Sequence, residues 1–214
     1  MKVVLILAHP DPRSLNHAIA GRARATLLTA GHDVWFHDLC AEGFDPVMPA
    51  AEIPSAAVPP AGIGRQAGEV RAADGIIIVH PNWWGQPPAI LTGWIDRVLR
   101  PGVAYRFREG DQGEGVPEGL LRARVALVFN TANTPEHREK SVFLDPLDTI
   151  WRNCIFGLCG VQTVQRRVFQ VVVTSTPQQR RAWLAEVETI VRRHFPAGRA
   201  PRAGRRPAET ERAP

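Results

Sequence analysis

Polar residues that could bind an anionic ligand follow the first apolar run of the chain. His9 to Asn16 leads directly into a stretch with helical spacing. The free N–H groups at a helix N-terminus attract anions, and Ser14 and Asn16 add side-chain donors. The segment therefore predicts a phosphate site, with an ordinary helix cap as the alternative for Ser14.

Two further segments could hold an aromatic ring. His80 to Pro88 places Trp83 and Trp84 side by side between prolines. Because adjacent loop residues cannot point the same way, at least one tryptophan is expected to line a pocket and stack on a flat ring, even if the other enters the core. Asn130 to Glu136 is small and polar, and it would either wrap the edge of a heterocycle or form a turn that satisfies its own backbone.

The elements that must position these loops alternate between apolar runs of strand length and segments of helical spacing. Strands are predicted at residues 2–8, 34–36, 75–79, 125–129 and 168–173, and helices at about 15–30, 65–73, 88–99, 146–156 and 177–195. This order predicts an α/β fold, a doubly wound five-stranded parallel sheet with helices on both faces. Ligands of such folds bind at the carboxyl ends of the strands, where all three loops lie.

Length and charge predict one domain with a tail. The chain has 214 residues, which suits a single domain over residues 1–195. Its net charge is +5, but residues 196–214 carry five arginines against two glutamates. This basic tail has no apolar periodicity and is predicted to be disordered. Since the remaining body is nearly neutral, nucleic acid is not an expected partner.

Cysteine usage and hydropathy exclude other classes of protein. Cys40, Cys154 and Cys159 are an odd set without CxxC spacing, so neither a disulfide framework nor a metal site is expected. The opening apolar run has only six residues before His9, and it predicts a strand rather than a signal peptide or a membrane span. We therefore expect a cytoplasmic protein without membrane insertion.

Together the three loops resemble those of the NAD(P)H:quinone reductases with a flavodoxin-like fold. The resemblance includes Ile78 to Val98, Gly102 to Phe107 and Leu158 to Val161, and it covers about residues 1–195. It implies a flavodoxin-like enzyme with FMN or FAD as cofactor and NAD(P)H as hydride donor. The implied reaction is ping-pong hydride transfer to a quinone or a similar electrophilic acceptor.

The resemblance also implies roles for particular residues. The first loop would hold the phosphate-bearing chain of the flavin, and the other two would hold the isoalloxazine ring. The implied contacts are His9, Ser14, Leu15 and Asn16, then Pro81, Asn82, Trp83, Trp84 and Gly85, and finally Asn130, Thr131, Ala132 and Asn133. A homodimer is implied as well, in which Tyr105 and Phe107 cover the flavin across the interface and complete the substrate pocket.

The chain departs from this family in the third loop. Many members have Thr-Thr-Gly-Gly there, followed by a tyrosine and a histidine that relay charge and proton, whereas this chain has a single tyrosine, Tyr105. His137 is the candidate for the relay, with an exposed histidine at a helix start as the alternative. Three other functions stay open: a flavodoxin-type electron carrier, a regulatory subunit of a potassium-efflux transporter, and nucleic-acid binding through the basic tail, which the nearly neutral body disfavours.

Overall fold

The computed structural model describes residues 1–108 and 115–197. Its strands are β1 (Lys2–Leu7), β2 (Asp33–Asp38), β3 (Gly75–Pro81), β4 (Tyr105–Arg106), β5 (Glu118–Gly119), β6 (Val125–Thr131) and β7 (Thr163–Phe169). Its α-helices are α1 (Leu15–Thr29), α2 (Ala61–Ala72), α3 (Ala89–Val98), α4 (Glu136–Ser141), α5 (Pro146–Thr149) and α6 (Pro177–His194). A 3₁₀ turn covers Ala50–Glu52, and a π-helix over Ile150–Gly157 continues α5.

Five of the strands form one parallel sheet in the order β2-β1-β3-β6-β7. The chain runs outward from β1 in one direction to β2 and then in the other direction to β3, β6 and β7. The switch point between β1 and β3 is where ligands bind in such sheets. The predicted fold class, a doubly wound parallel sheet, is confirmed, and the strand order is that of flavodoxin-like sheets.

Hydrophobic packing covers both faces of this sheet. One cluster joins β1, β3 and β6 to α1 and α6, and a second joins the opposite faces of the same strands to α2, α3 and the π-helix. All seven residues of β3 are buried, as expected for a central parallel strand. A capping box begins α6, since Thr176 Oγ1 accepts from Gln179 N and Gln179 Oε1 accepts from Thr176 N.

The prediction of a fifth strand at residues 168–173 is wrong in its position, because β7 spans Thr163–Phe169. Two arginines interrupt the apolar pattern of β7, and both are paired. Arg166 binds Asp145 and Arg167 binds Glu186. An edge strand tolerates such side chains, so the more apolar run that follows misled the sequence interpretation.

Two other regions differ from expectation. The helix α4 and the small antiparallel pair β4–β5 were not predicted, because segments of two to six residues carry no measurable periodicity.

The predicted disordered tail, residues 196–214, lies outside the described residues except for its first two positions. Within residues 1–108 and 115–197, no helix is long and apolar enough to span a membrane.

Candidate functional site

The three polar loops gather at the carboxyl edge of the sheet because β1, β3 and β6 are neighbours there. Leu7 pairs with Val79, and Pro81 pairs with Thr131, so the strands end at nearly the same level. A hydrogen bond of 2.7 Å from Asn82 N to Thr131 O then ties the second loop to the end of β6. The sheet thus brings together the segments that the sequence singled out.

The first loop caps α1 and reaches the third loop through a buried amide. Ser14 is the N-cap, and its hydroxyl oxygen accepts from His17 N at 3.3 Å. Asn16 is 2% exposed and donates from Nδ2 to Thr131 Oγ1 at 2.9 Å. Its Oδ1 has no hydrogen-bond partner among the described residues. Ser14 therefore caps α1, and Asn16 offers an unfilled acceptor at the sheet edge.

The two tryptophans lie on a tight turn in the second loop. Trp83 and Gln86 exchange backbone hydrogen bonds across Trp84 and Gly85, which both have positive φ, 59° and 71°. This combination is that of a type I′ turn, in which the first central position usually holds asparagine, aspartate or glycine. Trp84 is 100% exposed and Trp83 is 45% exposed, so neither tryptophan is part of the core.

A cavity of about 510 Å³ lies between this turn and α4. Its volume is in the range of small-molecule sites. A carboxylate forms part of its wall, since Glu139 on α4 is 4% exposed and accepts from Asn82 Nδ2 at 2.8 Å. Asn82 Oδ1 in turn accepts from Gly85 N at 2.9 Å, so Glu139 helps to fix the tryptophan turn. The lining residues are Asn82, Trp84, Gly85, Thr134, Glu139, Phe143 and Pro146.

A buried polar network supports the edge from below. His80 Nδ1 donates to Pro81 O at 2.8 Å, and His80 Nε2 accepts from Trp151 Nε1 and Asn130 Nδ2 at 2.9 and 2.8 Å. Burial lowers the pKa of His80 to about 3, so the ring is neutral and its tautomer is fixed by these partners. Asn130 Oδ1 accepts from Arg166 Nε at 2.6 Å. The amide of Asn130 is thus used inside the protein, and this residue positions the loop rather than facing a cavity.

The remaining predicted residues fall in different places. Ala132 is buried at the start of the third loop, while Asn133 is exposed and its Oδ1 accepts from Val173 N. Leu15 packs against the core below the first loop. The ring of His9 lies 5.9 Å from that of Trp83, and burial lowers the pKa of His9. These predicted residues belong to the loops that follow β1, β3 and β6, or to the start of α1.

Among the predicted residues, Asn82, Trp84 and Gly85 line the 510 Å³ cavity, whereas the candidate relay histidine and the two substrate-pocket residues do not. His137 is exposed on α4, two positions before Glu139, and residues at this spacing lie on different sides of a helix. Because Glu139 faces the cavity, His137 faces away from it. Tyr105 and Phe107 line a separate cavity of about 680 Å³, with their rings 5.9 Å apart.

Comparisons with known proteins agree with this architecture. The family model described as flavodoxin-like fold matches residues 1–191. An uncharacterized NAD(P)H oxidoreductase of Haemophilus influenzae is 34% identical over 173 residues, covering 79% of this chain and 83% of that protein. A ribosyldihydronicotinamide dehydrogenase [quinone] of Pongo abelii is 27% identical, covering 88% of this chain and 91% of that protein. The crystal structure of a putative quinone reductase from Klebsiella pneumoniae has a TM-score of 0.79 at 27% identity, covering 92% and 86%.

The chain belongs to the family of proteins with the flavodoxin-like fold. Its relatives named above are oxidoreductases. The predictions of an enzyme and of a relative of the NAD(P)H:quinone reductases are thereby confirmed.

The residues at the edge fit a flavin. The first turn of α1 offers N–H donors to a phosphate, because the first N–H groups of a helix have no acceptor within it. The unfilled Oδ1 of Asn16 suits the hydroxyl groups of a ribityl chain. Beyond it, the exposed indole of Trp84 and the adjoining cavity offer a flat apolar wall to a ring.

Sequence reasoning missed Glu139, His17 and Asp38. Glu139 lies on a helix of six residues that no pattern predicts. His17 and Asp38 come together only because α1 packs beside the end of β2, where His17 Nε2 and Asp38 Oδ2 are 2.9 Å apart. The one available signal was the position of His17, three residues after the N-cap, which places its side chain beside Ser14.

Proposed function

We propose that the chain is a flavin-dependent NAD(P)H oxidoreductase that reduces quinones or similar electrophilic acceptors by ping-pong hydride transfer. The observation that carries this proposal is Trp84, a fully exposed indole held with φ at 59° in the wall of a cavity. A non-glycine residue in this conformation destabilises the fold by about 1 to 2 kcal/mol. Because the side chain of Trp84 is fully exposed, no buried contact offsets this cost in the free chain. A bound aromatic ring accounts for both features.

Different loops would bind different parts of the flavin. His9, Ser14, Leu15 and Asn16 would hold the phosphate-bearing chain of FMN or FAD. The ring would lie along the second and third loops, contacting Pro81, Asn82, Trp83, Trp84 and Gly85 on one side and Thr131, Ala132 and Asn133 on the other. When bound, a flavin accepts hydride from NAD(P)H and returns it to the acceptor, so that NAD(P)H, one proton and a quinone give NAD(P)⁺ and a hydroquinone.

The residues of the chain then orient the reactants and handle charge. Backbone N–H groups of the third loop would stabilise negative charge at the ring edge. Glu139 holds Asn82 and hence the tryptophan turn in place. His137 remains a candidate for proton transfer only from outside the cavity, because it faces solvent.

A homodimer would complete the pocket. Tyr105 and the 40%-exposed Phe107 form an aromatic pair outside the 510 Å³ cavity of their own chain. A second copy could therefore present this pair to the exposed Trp84. A reducing compartment such as the cytoplasm suits the three cysteines, which are all free.

The test is flavin content followed by turnover. The purified full chain should be yellow and release about one FMN or FAD per chain on denaturation. It should oxidise more than one equivalent of NADH or NADPH per flavin only when a quinone is supplied. A colourless chain that binds neither added flavin contradicts the proposal. A yellow chain that never oxidises NAD(P)H would instead be an electron carrier.

A further inference from the structure

Three hydrogen-bonded side chains form a relay at the start of α1. The imidazole of His17 lies between two partners, with Nδ1 3.0 Å from Ser14 Oγ and Nε2 2.9 Å from Asp38 Oδ2. The side chains of His17 and Asp38 are 19% and 17% exposed, so solvent competes weakly for these contacts. Ser14 is the residue of the three that the proposed function places against the flavin phosphate.

The protonation state of His17 decides where the hydroxyl proton of Ser14 points. An ionised Asp38 can only accept, so Nε2 of His17 must carry a hydrogen. In the neutral ring Nδ1 is therefore an acceptor, and Ser14 donates its single proton to it. In the protonated ring Nδ1 donates to Ser14 Oγ instead, and the proton of Ser14 is free for another acceptor.

We propose that His17 is a positioning residue that turns the Ser14 hydroxyl toward the flavin phosphate, so that flavin binding and protonation of His17 favour each other. This inference rests on the proposed function. Asn16 independently points to a ligand here, since its side chain is directed at the sheet edge by Thr131 and its buried Oδ1 lacks a partner among the described residues. Thermodynamic linkage makes the coupling reciprocal.

Other charged groups around His17 do not imitate this coupling. The ring of His9 lies 6.3 Å from that of His17, and burial lowers the pKa of His9, which disfavours its charged form. Asp11 and Arg13 form an exposed pair, in which hydrogen bonding lowers the pKa of Asp11 and raises that of Arg13. Burial raises the pKa of the Cys40 thiol, which keeps it uncharged. Histidine is the side chain that changes charge in this range.

The test measures FAD binding to the flavin-free full chain by calorimetry at about pH 6 and about pH 8, the range in which histidine titrates. FAD is the probe because its pyrophosphate keeps a constant charge, whereas a phosphate monoester such as that of FMN titrates with a pKa near 6. We expect FAD affinity to be about tenfold higher at the lower pH, within the range of typical coupling between two sites. Titrations in two buffers of different ionisation enthalpy should show proton uptake on binding.

Variants separate positioning from structure. His17→Gln should abolish both the pH dependence and the proton uptake, while the matched control His9→Gln should keep both, whatever its effect on affinity. Asp38→Asn, as a second variant, should weaken the coupling, because an amide can donate as well as accept and no longer requires Nε2 of His17 to carry the hydrogen.

Two results would overturn the inference. One is wild-type FAD affinity that does not change with pH and involves no proton uptake. The other is a His17→Gln variant whose FAD affinity depends on pH as that of the wild type does, whether or not its affinity is lower. If FAD and FMN fail to bind at every pH, the proposed function itself fails, which is a distinguishable result.

Discussion

Replacing Trp84 by alanine separates a ligand wall from a core residue. Trp84 is 100% exposed, so its truncation removes no buried surface from the free chain. The free energy of unfolding of the flavin-free chain should therefore change by less than about 0.5 kcal/mol. Loss of aromatic stacking on a heterocycle costs about 1 to 3 kcal/mol, which corresponds to roughly a fivefold to 150-fold weaker flavin affinity.

Trp94 supplies the matched control. It is 1% exposed, and its Nε1 donates to Gln66 Oε1 at 2.7 Å. Trp94→Ala should cost about 3 to 5 kcal/mol of stability, as expected for truncation of a buried aromatic side chain. Trp83, which is 45% exposed and contacts His9, should give intermediate losses of both stability and affinity.

A glycine variant tests the backbone argument at the same position. Trp84→Gly removes the side chain but also the steric cost of φ at 59°, so the free chain should be more stable than Trp84→Ala by about 1 kcal/mol. Urea unfolding of the flavin-free variants and flavin titration measure the two effects separately. A large stability loss with normal flavin affinity in Trp84→Ala would refute the reasoning.

Further changes test the loops and the network beneath them. Alanine at both Ser14 and Asn16 should weaken flavin binding by about 1 to 3 kcal/mol, and unchanged affinity on titration would leave Ser14 a helix cap alone. Glu139→Ala should weaken flavin binding roughly tenfold, because it frees the turn that Asn82 fixes. Glu139→Gln keeps an acceptor oxygen and should bind flavin normally. Equal losses of affinity in the two variants on titration would show that the charge of Glu139 matters instead. Because burial lowers the pKa of His80 to about 3, the folded chain binds fewer protons than the unfolded chain, and urea unfolding should show stability falling as pH drops from about 6.5 toward 3. His80→Gln should flatten this dependence, and an unchanged slope would assign it to other groups.

The fold could be predicted because its signals are local. The β-branched run of β3 and the apolar stripe of α6 have the periods of their elements, and both lie where the sequence predicts them. The position of β7 could not be predicted, since the salt bridge that lets Arg166 lie in a strand depends on Asp145, far away in the chain. The hydrophobicity of a run of residues carries no information about the salt bridges that a neighbouring, more polar run can form.

The candidate site also has parts that the sequence predicts and parts that it does not. The loops that end β1, β3 and β6 follow from strand order alone, so Asn16 and Trp84 could be singled out from the sequence. The contact of Glu139 with Asn82 depends on a six-residue helix, and that of His17 with Asp38 depends on how α1 packs beside β2. Contacts of this kind are set by tertiary packing, which no spacing rule reports.

The central claim is that the three loops hold a flavin that exchanges hydride with a nicotinamide. Anaerobic mixing of the flavin-loaded chain with NADH or NADPH tests it directly, followed by addition of a quinone. The account predicts that the visible flavin absorbance is lost on the first mixing and returns on the second, with one NAD(P)H consumed per flavin. Bound flavin that stays oxidised with either nicotinamide would contradict it.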